Sequence, residues 1–299
     1  MKAFVINLPR SPERREFICR ELERARVEYA FVDAVDGRDL DLHDTRLVHP
    51  DLLEKDYFKP GVAGCALSHI RVYEKVIGEG LPFALVLEDD ATLPADLDAL
   101  SHEVARHMEG AEIVLLNYTG PQGCKLSTHG AIPLSSSRYL AYPVRADQVF
   151  CSAAYVITGE ACRRMVRDVL PVKTHADEWW YFHQIGTLDR VRCVAPCPVD
   201  QDKAFRTTID FYSPQSLQHR LRDAIIRNRV PVLTQARSLR WWFKNRRLRR
   251  TALLDEAPDQ LRPGGPGQSN GSLPQRAVTV DASPPERAVT ADASLPQAE

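Results

Sequence analysis

Short apolar runs alternate with stretches of helical spacing over much of the chain. Residues 3–8 are one such run, enough for a buried strand. It ends at Pro9-Arg10-Ser11-Pro12, where Ser11 can cap a helix with proline at its first position. The stretch that follows places Phe17, Ile18, Leu22 and Ala25 at helical spacing. Residues 29–35 read as a second strand, closed by Asp36-Gly37. Strand, helix, strand in so short a span begins a parallel α/β sheet. Gly61 and Gly64 then punctuate the chain. Residues 65–77 read as a helix with Ile70, Tyr73 and Ile77 on one side, stopped by Gly78, Gly80 and Pro82. Residues 83–87 are apolar without a break, as in a central strand buried on both faces. Further strands are expected at 113–116, 153–157 and 191–194, with a helix over 159–170. The pattern predicts an α/β fold, a mostly parallel sheet flanked by helices.

The pattern changes twice. Residues 1–212 carry the sheet domain. Residues 213–254 read as a basic helical extension, broken near Pro231. Residues 255–299 lack any aromatic residue and are rich in Pro, Gly, Ser and Ala. Two adjoining blocks there, 273–283 and 284–294, share Arg-Ala-Val-Thr-x-Asp-Ala-Ser. A segment so poor in large apolar groups cannot offset its ordering entropy, so a disordered tail is expected. The 299 residues carry a formal net charge of −1. That mean hides residues 220–250, where eleven Lys or Arg stand against one Asp. Such a segment seeks an anionic surface.

Seven cysteines are scattered without paired zinc-site spacing. They read as reduced thiols of a cytosolic protein. No signal-peptide pattern opens the chain, and no apolar run approaches the ~20 residues of a membrane span.

The candidate chemistry begins at Glu88-Asp89-Asp90. Three acids directly after a buried strand repel one another and resist desolvation. Ligands of open α/β sheets bind at the carboxyl ends of the strands. In extended backbone, Glu88 and Asp90 point to one side and Asp89 to the other. Two converging carboxylates suit a hard divalent cation that bridges phosphates. Asn7 and Leu8 end the first strand, and Arg14 opens the helix beyond, a setting that attracts diphosphate. Asp36 ends the second strand, where an acid can accept from a ribose hydroxyl. Ser68-His69 is expected to open a helix after a glycine. His175-Ala176-Asp177-Glu178 lies in a loop before Trp179-Trp180-Tyr181, and aromatic rings can stack on a hexose.

Four segments occur in order: Phe-Val-Ile-Asn-Leu-Pro-Arg-Ser-Pro-Glu-Arg-Arg (4–15), Asp-Ala-Val-Asp-Gly (33–37), Gly-Cys-Ala-Leu-Ser-His (64–69) and Leu-Val-Leu-Glu-Asp-Asp (85–90). Together they resemble glycosyltransferase family 25, the lipooligosaccharide galactosyltransferase family, over roughly residues 3–210. The resemblance implies a GT-A-like fold, a UDP-sugar donor (usually UDP-galactose), inversion at the sugar carbon and a Mn²⁺ ion, with Mg²⁺ as the alternative. Glu88-Asp89-Asp90 matches the family's acidic motif, and within it Glu88 and Asp90 are read as the metal ligands. Asn7, Leu8, Arg14, Asp36, Ser68, His69 and Asp89 fall to the donor nucleotide. Gln201-Asp202 fits a late family motif, with Thr207 and Thr208 in its continuation. The segment 61–64 departs from the family, which has an acid after the first glycine.

Sugar transfer needs a base for the acceptor hydroxyl, across the sugar from the leaving diphosphate. Asp177 is the first candidate and Glu178 the second. The acceptor is expected to be a lipid-linked glycan or oligosaccharide. In the basic segment, Leu239, Trp242, Phe243 and Arg246 share one helix face, which suits an anionic membrane surface. That places the protein in the cytoplasm, peripheral on the inner face of the membrane. Nucleic acid is not the expected main partner. A metal-dependent phosphoesterase and a non-catalytic binding module are the competing readings. The first would want a second cluster of His and Asp ligands.

Overall fold

The structure, a computed structural model, describes residues 1–120, 123–202, 205 and 251–261. The basic segment 220–250, the repeats and Thr207-Thr208 lie outside the described residues.

The apolar runs become the strands of one sheet. Strand β1 (Ala3–Asn7) lies between β2 (Tyr29–Asp33) and β3 (Phe83–Glu88), parallel to both. Beyond β3 come β9 (Ala154–Thr158), β5 (Glu112–Leu115), β10 (Arg190–Ala195), β8 (Arg138–Ala141) and β7 (Ile132–Leu134). Strand β9 is antiparallel to both β3 and β5, and β8 is antiparallel to β10 and β7. Six of the eight strands therefore point one way, and the sheet is mostly parallel in direction although mixed in pairing. This is a GT-A-like α/β architecture.

The reversal of β9 is the main departure from a purely parallel order. It brings the start of that strand, rather than its end, to the edge where β1 and β3 finish. Residues just before β9 thereby reach the acidic triplet.

Alternating side chains of each central strand feed two cores. One face of the sheet packs on α1 (Pro12–Ala25) through Ile18 and Leu22, and on α4 (Leu97–Ala105) through Leu97, Leu100 and Val104. The other packs on α3 (Pro60–Gly78), α5 (Gly159–Val169) and α6 (Trp179–Gln184). A smaller cluster joins α2 (Pro50–Leu53) to the first turns of α3 and to Val172 and Ala176.

Three expectations need correction. Helix α3 starts at Pro60, so Gly61 and Gly64 lie inside it and Ser68-His69 sits in its interior. Gly64 answers to packing rather than punctuation, as does Gly37 before it. A Cβ on Gly64 would stand 2.6 Å from the Val35 carbonyl oxygen, and one on Gly37 would stand 2.2 Å from that of Pro60. Ser11 precedes α1, but its side chain makes no capping bond.

The boundary at residue 254 also moves. Strand β12 (Thr251–Leu254) pairs in parallel with β6 (Cys124–Ser127), and the chain continues in contact with the domain to Leu261. Gln260 is buried and its amide bonds both the N–H and the C=O of Val191. The first residues of the expected tail are thus folded onto the sheet domain. Two short strands remain: β4 (Ala91–Thr92) and β11 (Asp200–Gln201), paired with each other beside the triplet.

Candidate active site

Strand β3 ends at Glu88, and Asp89 and Asp90 lie in the turn beyond it. The two-sided alternation expected for the triplet therefore stops at Glu88. Asp89 is buried and accepts from Asn7 Nδ2 at 2.8 Å and from Arg14 Nε at 2.6 Å. Asp90 is 3.0 Å from Arg14 Nη2, so both aspartates share one guanidinium. Burial, then the Glu88 charge, raises the Asp90 carboxyl to about 6 despite Arg14.

Glu88 faces a different neighbourhood. Its Oε1 accepts from Ser152 Oγ at 2.6 Å and lies 3.7 Å from His69 Nε2. These contacts outweigh its burial and hold its carboxyl below the ordinary value. The Tyr155 hydroxyl stands 2.7 Å from His69 Nδ1 and 2.9 Å from the Tyr73 hydroxyl. Ser152 lies just before the reversed strand β9, whose direction brings it here.

Two cavities meet here. The first, about 440 Å³, is lined by the end of β1 (Ile6, Leu8), by residues 34–38 after β2, by the start of α3, and by His69, Glu88 and Asp89. Four basic side chains, Arg10, Arg14, Arg38 and Lys59, line it too. The second, about 250 Å³, is lined by Cys151, Ser152, His175, Asp177 and Gln201 among others. Cys65 and Glu88 line both.

The sequence-derived candidates fall into place unevenly. Leu8, Arg14, Asp36, Ser68, His69, Glu88 and Asp89 line the first cavity. Asn7 supports it by holding Asp89. Asp36 is engaged by Arg10 at 2.6 Å and Arg38 at 2.6 Å. These partners, Arg38 first, keep its carboxyl well below the usual range despite some desolvation. Its present bonds thus hold two cations at the cavity rim. Ser68 Oγ donates to the Gly64 carbonyl and accepts from Val35 N–H, tying α3 to the loop after β2.

Asp177 lines the second cavity, and its Oδ2 accepts from Cys151 N–H at 3.0 Å. Burial raises its carboxyl above the ordinary value, as it does for Glu178. Glu178 stands at the N-terminal boundary of α6. Trp179 does not serve as a sugar platform: it is fully buried in the core, with Nε1 donating to the Cys151 carbonyl.

Four participants were missed or undervalued. Cys65 lies one helical turn before His69, a spacing already contained in the helix expected over 65–77. Cys151 and Ser152 carry no signal without the reversal of β9. Gln201 sits on β11, and its Nε2 lies 3.5 Å from Asp90 Oδ1.

The family model described as glycosyltransferase family 25 (LPS biosynthesis protein) matches residues 1–180. Procollagen galactosyltransferase 2 of Homo sapiens is 28% identical over 171 residues, which cover 54% of this chain and 27% of the relative. The inactive glycosyltransferase 25 family member 3 of Homo sapiens is 29% identical over 203 residues, 61% of this chain and 33% of the relative. Procollagen galactosyltransferase 1 of Danio rerio is 24% identical over 174 residues, 56% of this chain and 28% of the relative. The matched regions thus cover a third or less of these relatives.

Proposed function

The chain belongs to glycosyltransferase family 25, and from that premise we propose that it moves a hexose, galactose in the first instance, from a UDP-sugar to a glycan hydroxyl. The observation that carries the reading is the meeting of two cavities at Glu88, one rimmed by arginines and one holding Asp177. The first has the size and charge for a nucleoside diphosphate. The second suits the acceptor end of the reaction.

Arg10, Arg38 and Lys59 attract the diphosphate, and Asp36 holds the two arginines in place. Asn7 and Arg14 fix Asp89 at the cavity wall. The donor set fits a divalent ion: Asp89 and Asp90 share the Arg14 guanidinium and Glu88 lies outside that pair, so the three carboxylates keep excess negative charge. Those two residues would hold it. Mn²⁺ or Mg²⁺ bound there supplies positive charge against the departing diphosphate. Asp177 takes the proton from the acceptor hydroxyl, and its raised affinity for a proton suits it to that task. Glu178 is the second candidate.

The acceptor we favour is a lipooligosaccharide or other lipid-linked glycan. No helix among the described residues is long and apolar enough to cross a membrane. A peripheral position on the inner face, held by the charge of segment 220–250, accords with that acceptor. Pelleting with anionic vesicles at low salt and release at high salt would support it. Binding to neither anionic nor neutral vesicles would count against it.

The direct test is a panel of UDP-sugars with and without Mn²⁺, scored for hydrolysis and for transfer to glycan acceptors. Metal-dependent consumption of UDP-galactose is expected. Phosphoester hydrolysis with no preference for a sugar nucleotide would favour the phosphoesterase. Donor binding without turnover would favour a non-catalytic module, a possibility sharpened by the relative named inactive.

A further inference from the structure

The reading above uses Glu88 and gives no chemical task to two of its neighbours. Cys65 and His69 lie four residues apart on α3, so their side chains leave the same face. Cys65 Sγ, a ring nitrogen of His69 and a Glu88 oxygen all lie within 4.8 Å of one another, and His69 Nε2 is 3.7 Å from Glu88 Oε1. His69 is only 2% exposed, and its Nε2 has no hydrogen-bond partner among the described residues. Buried polar atoms are nearly always paired, and Glu88 Oε1 at 3.7 Å is too far to hydrogen-bond this nitrogen, so its setting calls for an explanation. The remaining nitrogen, Nδ1, is fixed by the Tyr155 hydroxyl, and the Ser152 hydroxyl fixes Glu88. Outer partners of this kind orient metal-binding imidazoles and carboxylates.

We propose that Cys65, His69 and Glu88 form a binding site for a zinc-class divalent ion at the junction of the two cavities. A thiolate and an imidazole prefer Zn²⁺ to Mg²⁺ or Mn²⁺, which favour oxygen. A tetrahedral ion with bonds of about 2.0–2.3 Å keeps its donors roughly 3.3–3.8 Å apart, so this set needs only a small contraction. Three protein donors leave a fourth position for water or another oxygen. The site stands without the transferase reading, and it has a consequence within it. Glu88 bound here is withdrawn from the ion it would share with Asp90, so Zn²⁺ competes with Mn²⁺.

The test uses the full-length chain and Co²⁺ as a spectroscopic probe for Zn²⁺. One equivalent of Co²⁺ should produce a near-ultraviolet thiolate charge-transfer band. Zn²⁺ should abolish the band, and Cys65→Ser should lack it. Tyr155→Phe should weaken Zn²⁺ binding about tenfold or more. In the unaltered protein, which avoids any folding defect of a variant, Zn²⁺ should slow alkylation of Cys65, read by peptide mass spectrometry. Absence of the thiolate band in the unaltered protein, or alkylation of Cys65 at one rate with and without saturating Zn²⁺, would overturn the site. Mn²⁺ binding, followed by its paramagnetic resonance, separates the two claims. A thiolate band without Mn²⁺ binding supports this site and counts against the Glu88/Asp90 ion. Mn²⁺ binding lost in Asp90→Ala, with no thiolate band, overturns this site and leaves the transferase reading in place.

Discussion

Arg14 Nε donates to Asp89 at 2.6 Å while its Nη2 lies 3.0 Å from Asp90, so one guanidinium serves two of the three triplet carboxylates. The Arg14 and Asp89 side chains are each only 8% exposed. Removing Arg14 leaves Asp89 buried with Asn7 as its remaining named donor. Arg14→Ala should therefore cost about 3–5 kcal/mol in denaturant unfolding. Arg14→Lys keeps the charge but not the planar fork, and should recover only part of that loss. A cost below about 1 kcal/mol for the alanine variant would show that the pair is screened as at a surface.

Asp177 carries the second prediction. Asp177→Asn should lower turnover by roughly 10²–10⁴-fold, with little change in donor affinity. The sign of the pH dependence follows from burial, which raises its carboxyl above the ordinary value. A base with a raised pKa is protonated and idle over a wider acid range. The acid limb of kcat/KM should therefore lie above the usual carboxylate range, with the rate rising as pH rises through it. The limb should vanish in Asp177→Asn. If donor affinity fell as much as turnover, Asp177 would be a binding group.

The fold was legible where hydrophobic pattern and sheet position coincide. Residues 83–87 read as a central strand because both its faces are covered, and the acids beyond it mark the carboxyl end of that strand as the candidate site. What escaped the sequence are facts of direction and distance. Strand β9 has the same apolar run whether parallel or reversed, and only the reversal brings Ser152 to Glu88. Gly64 looks like a helix breaker until the loop it approaches is known. Trp179 beside an acid resembles a sugar platform, and its burial is a property of α6 packing on the sheet.

Gly64 offers a prediction whose sign is unusual. Within a helix, Gly→Ala normally stabilises by about 1 kcal/mol. Here the new methyl would meet backbone atoms, Val35 O at 2.6 Å and Gly37 N at 2.8 Å, neither of which can swing away. Gly64→Ala should instead destabilise by about 1–3 kcal/mol and weaken donor binding, because residues 35–37 line the first cavity. A stabilised variant would show that α3 can slide off the loop at little cost.

Cys151 holds a φ of 107°, a region that non-glycine residues rarely occupy. Its N–H serves Asp177 and its carbonyl serves Trp179, so the surrounding structure sustains the strain. Comparing Cys151→Ala with Cys151→Gly isolates it, since both delete the thiol. The glycine variant should be the more stable by about 1 kcal/mol, the reverse of the usual order. The opposite order would mean that the backbone relaxes when the thiol leaves its contact with Asn117.

Gln260 tests whether the segment after residue 250 belongs to the fold. Strand β8 pairs with β10 only along residues 193–195, so the outward N–H and C=O of Val191 lie beyond its reach. The Gln260 amide takes both, at 2.9 Å each, and stands in for a missing strand. A buried N–H or C=O left without its partner costs about 1–3 kcal/mol. Gln260→Ala should thus lower Tm by roughly 4–8 °C, allowing for some water entry. Gln260→Glu should do no better, because its ionised carboxylate has no donor for the Val191 carbonyl. Leu253→Ala, at a side chain 39% exposed on β12, provides the control and should change stability by less than about 0.5 kcal/mol. If the Gln260 and Leu253 variants unfolded at the same temperature, residues 251–261 would be resting on the domain rather than completing its sheet edge.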